Sequence, residues 1–442
     1  MCRGSGTATG ENSCYGLNGC RMATFRVPYG KQYLEFALPR GEWLAPRDAP
    51  LADDPSQASG EAIDQALERA LHGVPVPCSV AIAINDKTRP APHGVLLPAL
   101  VERLERHGFA PQQITFLIAT GTHSRMAPEE FGAVVPAEIL ARYPVACHDA
   151  DDPAGLVWLG TTSRGTPVWI NKRFAEAGLR VAVGNIEPHQ FMGFSGGVKS
   201  VAIGLAGRET IGRNHAWMLD PRAAAGRYED NPARQDVEEI GAKVGVHFVL
   251  NAVVNERQQI VRVLAGDPLT VMKRGIPIVQ EIYRVRIPAP FDLVIASPGG
   301  HPKDINLYQS QKALAHAAAG TKDGGTVILV AACPEGAGSR AYDEWMEGMA
   351  SHAQVLERFR QEGCRLGPHK AFQIARDAAR LRVLMVTQMP PHAVRRLLLT
   401  PCATLDAAIQ AACSGLPAAA RIGVMPAANA TLLCLDSAPG SP

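Results

Sequence analysis

The octapeptide SVAIAIND, residues 79–86, decides the fold. Val80 to Ile84 are all apolar, without the in-out alternation of a strand that keeps one face wet, so both faces are buried. The run empties at once into a polar turn, NDKTRPAP, residues 85–92. The same design recurs in ITFLIATGTHS (114–124) and RVAVGNIEPHQ (180–190), then again in FDLVIASPGGHPKD (291–304), GGTVILVAAC (324–333) and RVLMVTQ (382–388). Helical periodicity fills the gaps, as at 62–72 and 96–108. Buried strands alternating with amphipathic helices predict two α/β domains with mostly parallel sheets and an active site in the cleft between them.

A chain of 442 residues exceeds one compact core and predicts two domains. Residues 1–21 are rich in Gly, Ser and Asn and read as a disordered extension, so the start of folded structure is expected at Met22. Residues 22–288 form the expected N-terminal domain. It opens with a hairpin, TFRVPYG and QYLEFAL, and ends with a strand pair, GVHFVLNAVVN and IVRVLAGD. The two prolines of RVRIPAPFD (284–292) mark a linker, and 289–442 form the C-terminal domain. With 46% apolar and 19% charged residues and a net charge of +2, the chain lacks the basic footprint of a nucleic-acid binder. It also lacks an apolar run of membrane-spanning length. The ten cysteines form no C-x-x-C pair, which reads as thiols in a reducing compartment. A soluble, cytoplasmic protein is expected.

Polar residues gather where the strands end: Asp86 and Arg89, His123, His189, and later Tyr308 to Lys312. Ligands of open α/β sheets bind at that edge. After His189 comes GFSGGVKS (193–200), one residue short of a Walker phosphate loop, with Val198 in place of the glycine before Lys199. A β-branched side chain suits that backbone curl badly, although a glycine-rich turn still serves to cradle one phosphate. His189 precedes Lys199 by ten residues and His215 follows it by sixteen. Each histidine alone reads as structural, but three of them beside such a lysine point to proton transfer or metal ligation. Residue chemistry by itself reaches a cofactor or metal enzyme using two or more histidines.

These segments together resemble the nickel-dependent lactate racemases and the wider set of 2-hydroxyacid racemases and epimerases. The stretch 185–218, NIEPHQFMGFSGGVKSVAIGLAGRETIGRNHAWM, is similar to the family's central signature. NDKTRP resembles its D-x-T-R element and ATGTHS its T-G-T-H element. SPGGHPKDINLYQSQKAL (297–314) is similar to its second-domain signature, and the four motifs agree in order.

The resemblance implies a nickel-pincer nucleotide, a pyridinium-3-thioamide-5-thiocarboxylic acid mononucleotide, tethered covalently to Lys199, with His215 as the protein's ligand to nickel. It implies that His123 and His189 alternate as acid and base while hydride leaves and returns at C2 through a 2-oxo acid. Asp86, Ser195, Gly196 and Gly197 are implied at the cofactor, and Arg89, Tyr308, Gln309 and Lys312 at the substrate acid. Cofactor-synthesis proteins are the implied partners beside the small-molecule substrate. A tryptophan that lines the pocket of lactate-specific members has no clear counterpart. GPHKAFQIAR (367–376) offers Phe372, His369 and Lys370 instead, which favours a larger or more polar 2-hydroxy acid. Two alternatives stay open here: a P-loop-like nucleotide-dependent phosphotransferase, against which Val198 stands, and a non-catalytic homologue that only binds the cofactor.

Overall fold

The structure, a computed structural model, describes residues 14–15, 21–72, 74, 78–365 and 367–436. The chain forms two compact units, Arg47–Tyr283 and a second made of Met1–Pro46 with Arg284–Pro442. Almost all of the extension expected to be disordered lies outside the described residues; within it, Cys14 and Tyr15 pair antiparallel with Met22 and Arg21. No helix among the described residues is long and apolar enough to cross a membrane.

The contiguous unit is built on a six-stranded sheet. From one edge its strands are Ile260–Gly266, Phe248–Val254, Leu179–Ile186, Val80–Asn85, Ile114–Ala119 and Val145–Cys147. All pairs are parallel except the first two, which form the antiparallel strand pair read from the sequence. Ile82, Ile84, Val181, Val183 and Leu250 are fully buried, each contributing about 1.5–3 kcal/mol relative to exposure. From Val80–Asn85 the chain builds outward to one edge, then returns to place Leu179–Ile186 on the other side. That reversal makes a topological switch point, where the loops after neighbouring strands diverge and leave a crevice.

The other unit carries a six-stranded parallel sheet in the order Thr400–Cys402, Arg382–Val386, Thr321–Val330, Phe291–Ala296, Ile422–Met425, Glu42–Trp43. Here the sequence-based domain boundary needs correction. The hairpin Arg21–Tyr29 with Gln32–Leu38 forms as expected, but it joins this unit rather than the contiguous one. Val27, Tyr29, Phe36 and Leu38 fall on one face and pack with Leu293, Ile295 and Ile328. Ser297 Oγ donates to the Pro28 carbonyl at 2.6 Å, and Gly30 N donates to Asp304 at 2.6 Å. The expected linker is partly a strand, Arg284–Ile287, paired in parallel with Leu432–Leu435.

The glycine-rich turn is fixed by residues distant in sequence. Arg234 is fully buried on the helix Pro232–Val244, which Asn231 caps by accepting from Arg234 N, with Pro232 opening the helix. Its guanidinium donates to the carbonyls of Phe194 at 3.0 Å and Gly196 at 3.1 Å, and to Glu238 at 2.6 and 2.8 Å. Asn251 Oδ1 accepts from Gly197 N at 2.7 Å. The glycines answer to this packing: Gly193 and Gly197 adopt φ of 72° and 60°. A Cβ at 193 would sit 1.6 Å from the Arg227 carbonyl oxygen, and one at 197 only 2.9 Å from Arg234. Val198 packs onto Gly241, where a Cβ would meet its side chain at 2.5 Å. Val198 is therefore a core residue, not a failed Walker glycine, and the helix after it is only Lys199–Ala202.

Two expectations follow for stability. Arg234→Met leaves Glu238 buried without its partner and should cost about 3–5 kcal/mol in urea unfolding, with much of the loss recovered in Arg234→Met/Glu238→Leu. Burial lowers the pKa values of His93 and His316, one in each unit, to about 4. Between about pH 6.5 and 4 the unfolded chain binds protons that the native one refuses. Stability should therefore fall with pH across that window, by at most about 1.4 kcal/mol per unit per histidine. Differential scanning calorimetry from pH 7 to 4.5 should show this, with a shallower slope for His316→Gln.

Candidate active site

In the contiguous unit, strand ends deliver the polar residues as the sequence predicts. Asp86 follows the strand Val80–Asn85 and is 3% exposed. Its Oδ1 accepts from Thr88 N at 3.1 Å and Thr88 Oγ1 at 2.8 Å, closing an Asx turn. Its Oδ2 lies 2.7 Å from His123 Nδ1. Both carboxylate oxygens are thus engaged by the chain itself, and the geometry gives Asp86 an orienting role toward His123. Burial alone would raise the Asp86 carboxyl, but His123, the Thr88 hydroxyl and the charge of Arg89 outweigh it and hold the group below the usual carboxylate range. Arg89 is half-buried, with its backbone N–H donating to the Asp86 carbonyl at 3.1 Å.

His189 sits in a tight hairpin in which Pro188–His189 pairs antiparallel with Gly193–Phe194. Its Nδ1 accepts from Met192 N at 3.2 Å. The Phe191 ring stands edge-on between two imidazoles, 4.9 Å from His189 and 5.2 Å from His215, and Asn231 pins the Phe191 carbonyl at 2.8 Å. His215 projects from the helix Arg208–Ala216. That helix is anchored by Asn214, which donates to Ala233 and to the buried Asp236, itself accepting from Thr162 and Thr166. The loop bearing His123 packs on the segment after Lys199, with Gly121 N donating to the Gly204 carbonyl at 2.9 Å.

The two histidines have opposite tautomers when neutral. His123 gives its Nδ1 proton to a carboxylate, so Nε2 carries a lone pair and is a base. His189 receives a backbone N–H at Nδ1, so its neutral ring carries the proton on Nε2. Lys199 is 7% exposed. Beside it, Ser195 is 7% exposed and its Oγ has no hydrogen-bond partner among the described residues. A buried hydroxyl left unmet fits a bound group with acceptor oxygens. The chain thus gathers Asp86, His123, His189, Ser195, Gly196, Gly197, Lys199 and His215 in one unit.

The expected substrate residues of the other unit also cluster. Tyr308, Gln309 and Lys312 lie on the helix Leu307–Ala319, capped by Asn306, so they occupy helix turns rather than a strand tip. Lys312 Nζ donates to Gln309 Oε1 at 2.8 Å. The Tyr308 ring meets His369 edge-on at 5.8 Å, and Lys370 Nζ stands 4.8 Å over its face. Phe372 does not share this place; it stacks on Phe359 at 4.8 Å in the core. Sequence reasoning passed over Thr88, Phe191, Arg234 and Asn251. Of these only the helix start at Asn231–Pro232, a capping signal, was there to be seen.

Residues 29–226 match the family model of the lactate racemase N-terminal domain, and residues 287–432 that of the lactate racemase C-terminal domain. A lactate racemase of Thermoanaerobacterium thermosaccharolyticum is 30% identical over 92% of this chain and 98% of its own length. One of Lactiplantibacillus plantarum is 35% identical over 60% of this chain and 62% of its own. The solved lactate racemase apoprotein of T. thermosaccharolyticum superposes with a TM-score of 0.87, covering 93% of this chain and all of that one at 30% identity. A Thermotoga maritima protein at 18% identity, with a TM-score of 0.65, shares the fold. The chain belongs to the lactate racemase family and is an isomerase of the racemase type.

Proposed function

We propose that this protein is a nickel-pincer nucleotide-dependent racemase or epimerase of a 2-hydroxy acid. The observation that carries the reading is a pair of imidazoles each oriented through Nδ1, His123 by Asp86 and His189 by Met192 N, so that Nε2 of each is the atom that would exchange protons. Inverting a carbon that bears a hydroxyl requires a proton acceptor and a proton donor that exchange tasks when the other enantiomer is the substrate.

Lys199 is the tether and His215 the protein ligand to nickel in this reading. Among the described residues no three His, Cys, Asp or Glu side chains come together to hold a metal, so a metal at His215 draws its remaining ligands from the bound group. When bound, that group supplies a hydride acceptor at substrate C2. His123 Nε2 takes the hydroxyl proton as C2 becomes planar and the substrate a 2-oxo acid. Asp86 stabilises the imidazolium that results. A protonated His189 gives its Nε2 proton to the carbonyl oxygen as the opposite face of C2 is reduced and returns to the neutral ring, while His123 sheds the proton it took, so that charge balances. Ser195, with the backbone of Gly196 and Gly197, faces the cofactor, and Arg89, Tyr308, Gln309 and Lys312 hold the substrate acid.

The relatives are named for lactate, which makes lactate the first acid to assay. The contact of Lys370 and His369 with Tyr308 favours a second reading, an acid with an additional polar group. Phe372, committed to the core, gives no help to a larger apolar one. A panel of 2-hydroxy acids separates the readings, and turnover of lactate alone defeats the second.

Loading is the direct test. Protein produced together with cofactor-synthesis enzymes should carry a mass increment of a few hundred daltons, on the order of one mononucleotide, and nickel near one per chain; Lys199→Ala should carry neither. Asp86→Asn should load normally yet lose roughly 10²–10⁴-fold in turnover in both directions, because the amide no longer fixes the His123 tautomer. Normal turnover in Asp86→Asn sinks the acid–base assignment.

A further inference from the structure

At the switch point of the contiguous unit, two asparagines end neighbouring parallel strands. Asn85 closes Val80–Asn85, and Asn185 stands one residue from the end of Leu179–Ile186. Asn85 Nδ2 donates to Asn185 Oδ1 at 3.2 Å across the divergence. Asn185 is 4% exposed, and its own Nδ2 has no acceptor among the described residues. Its backbone carbonyl borders the glycine-rich turn so closely that a Cβ on Gly196 would come within 3.2 Å. The residue before that glycine is Ser195, whose buried hydroxyl also lacks a partner. The backbone of Asn185 and that of Ser195 thus both border Gly196, and each of the two residues carries an unmet buried polar group, at the edge where open α/β sheets place their ligands. Asp86 and the His123 it holds begin one residue beyond Asn85.

A buried donor without an acceptor is rare in a native chain and calls for an explanation. The neighbouring asparagine shows the contrast: Asn251 spends Oδ1 on Gly197 N and Nδ2 on the Leu250 carbonyl. Asn185, on the adjacent strand and level with Ala252, keeps one arm in hand.

We infer that Asn185 is a cofactor-contacting residue, its Nδ2 donating, beside Ser195 Oγ, to an anionic oxygen of the mononucleotide that Lys199 tethers. This rests on the proposed function and adds to it a residue outside the motifs' acid–base, tether and nickel positions. Asn85 is a positioning residue, since its donation to Oδ1 sets which face of the Asn185 amide turns outward. Rotating both amides would turn the unmet donor into an unmet acceptor, and the substitutions below separate these cases.

Asn185→Asp keeps an acceptor for Asn85 Nδ2 and replaces the spare donor with a charged acceptor, which repels an anionic oxygen. Ser195→Ala removes a hydroxyl that has no partner in the chain, so it breaks no bond on which folding depends. Each variant and the wild type are co-produced with the cofactor-synthesis enzymes at limiting cofactor supply. Adduct fraction is read by intact mass and nickel by elemental analysis, with thermal unfolding of the unloaded proteins in parallel. Asn185→Asp and Ser195→Ala should each lower the loaded fraction at least about tenfold, the scale of one hydrogen bond to a charged acceptor, while unloaded Ser195→Ala melts as the wild type does. Asn185→Asp that loads like the wild type overturns the inference. If it is too unstable to load, Asn85→Ala/Asn185→Ala, which deletes both partners, takes its place under the same criterion. Wild type that stays unloaded, under conditions that load a related racemase, overturns the proposed function itself.

Discussion

The buried guanidinium of Arg234 is the constraint on which the site depends. A glycine-rich turn has little conformational preference of its own, since glycine loses more freedom on ordering than any other residue. Arg234 supplies the missing definition by binding the carbonyls of Phe194 and Gly196, while Asn251 takes the intervening direction through Gly197 N. The charge so buried is balanced by Glu238, which also accepts from Tyr228 at 2.7 Å. Lys199 begins directly after this clamp, so its stem leaves a backbone that is already fixed. Preorganisation of that kind spares the Lys199 side chain part of the entropy of searching for a partner.

Around the clamp, the histidines acquire their roles from local hydrogen bonds and not from their own types. The Asp86 carboxylate, held in an Asx turn with Thr88, decides which nitrogen of neutral His123 bears the proton, and a hairpin amide decides the same for His189. Phe191 then meets both His189 and His215 edge-on, an apolar ring in contact with each imidazole. Each imidazole is thus set on a different support: one on a carboxylate, one on a backbone amide, and one on the helix Arg208–Ala216 against Phe191.

Much of this was legible because strands and catalytic motifs are both local signals. SVAIAIND announced a buried strand and its polar exit, and Asp86 and His123 lie where such exits must bring them. The hairpin at 21–38 was equally plain, yet its allegiance was not. Which sheet an amphipathic hairpin covers depends on a partner surface formed near residue 293, far along the chain. Val198 misled for a related reason: a Walker template asks what a phosphate needs, whereas Gly241, in another helix, determined what fits. Phe372 looked like a pocket wall only because its stacking partner, Phe359, is invisible to pattern. Arg234 carried no local mark at all.

The division of the chain has a consequence for its birth. The unit Arg47–Tyr283 is continuous in sequence, whereas its companion draws on both the segment before residue 47 and everything after residue 283. A ribosome delivers the first complete α/β layer while the edge strand Glu42–Trp43 still waits for Ile422–Met425, its partner some 380 residues later. During that interval the emerging hairpin has an apolar face and no sheet to cover. Synthesis thus finishes the Arg234 clamp, Lys199 and the three histidines before the helix Leu307–Ala319 has any sheet on which to rest.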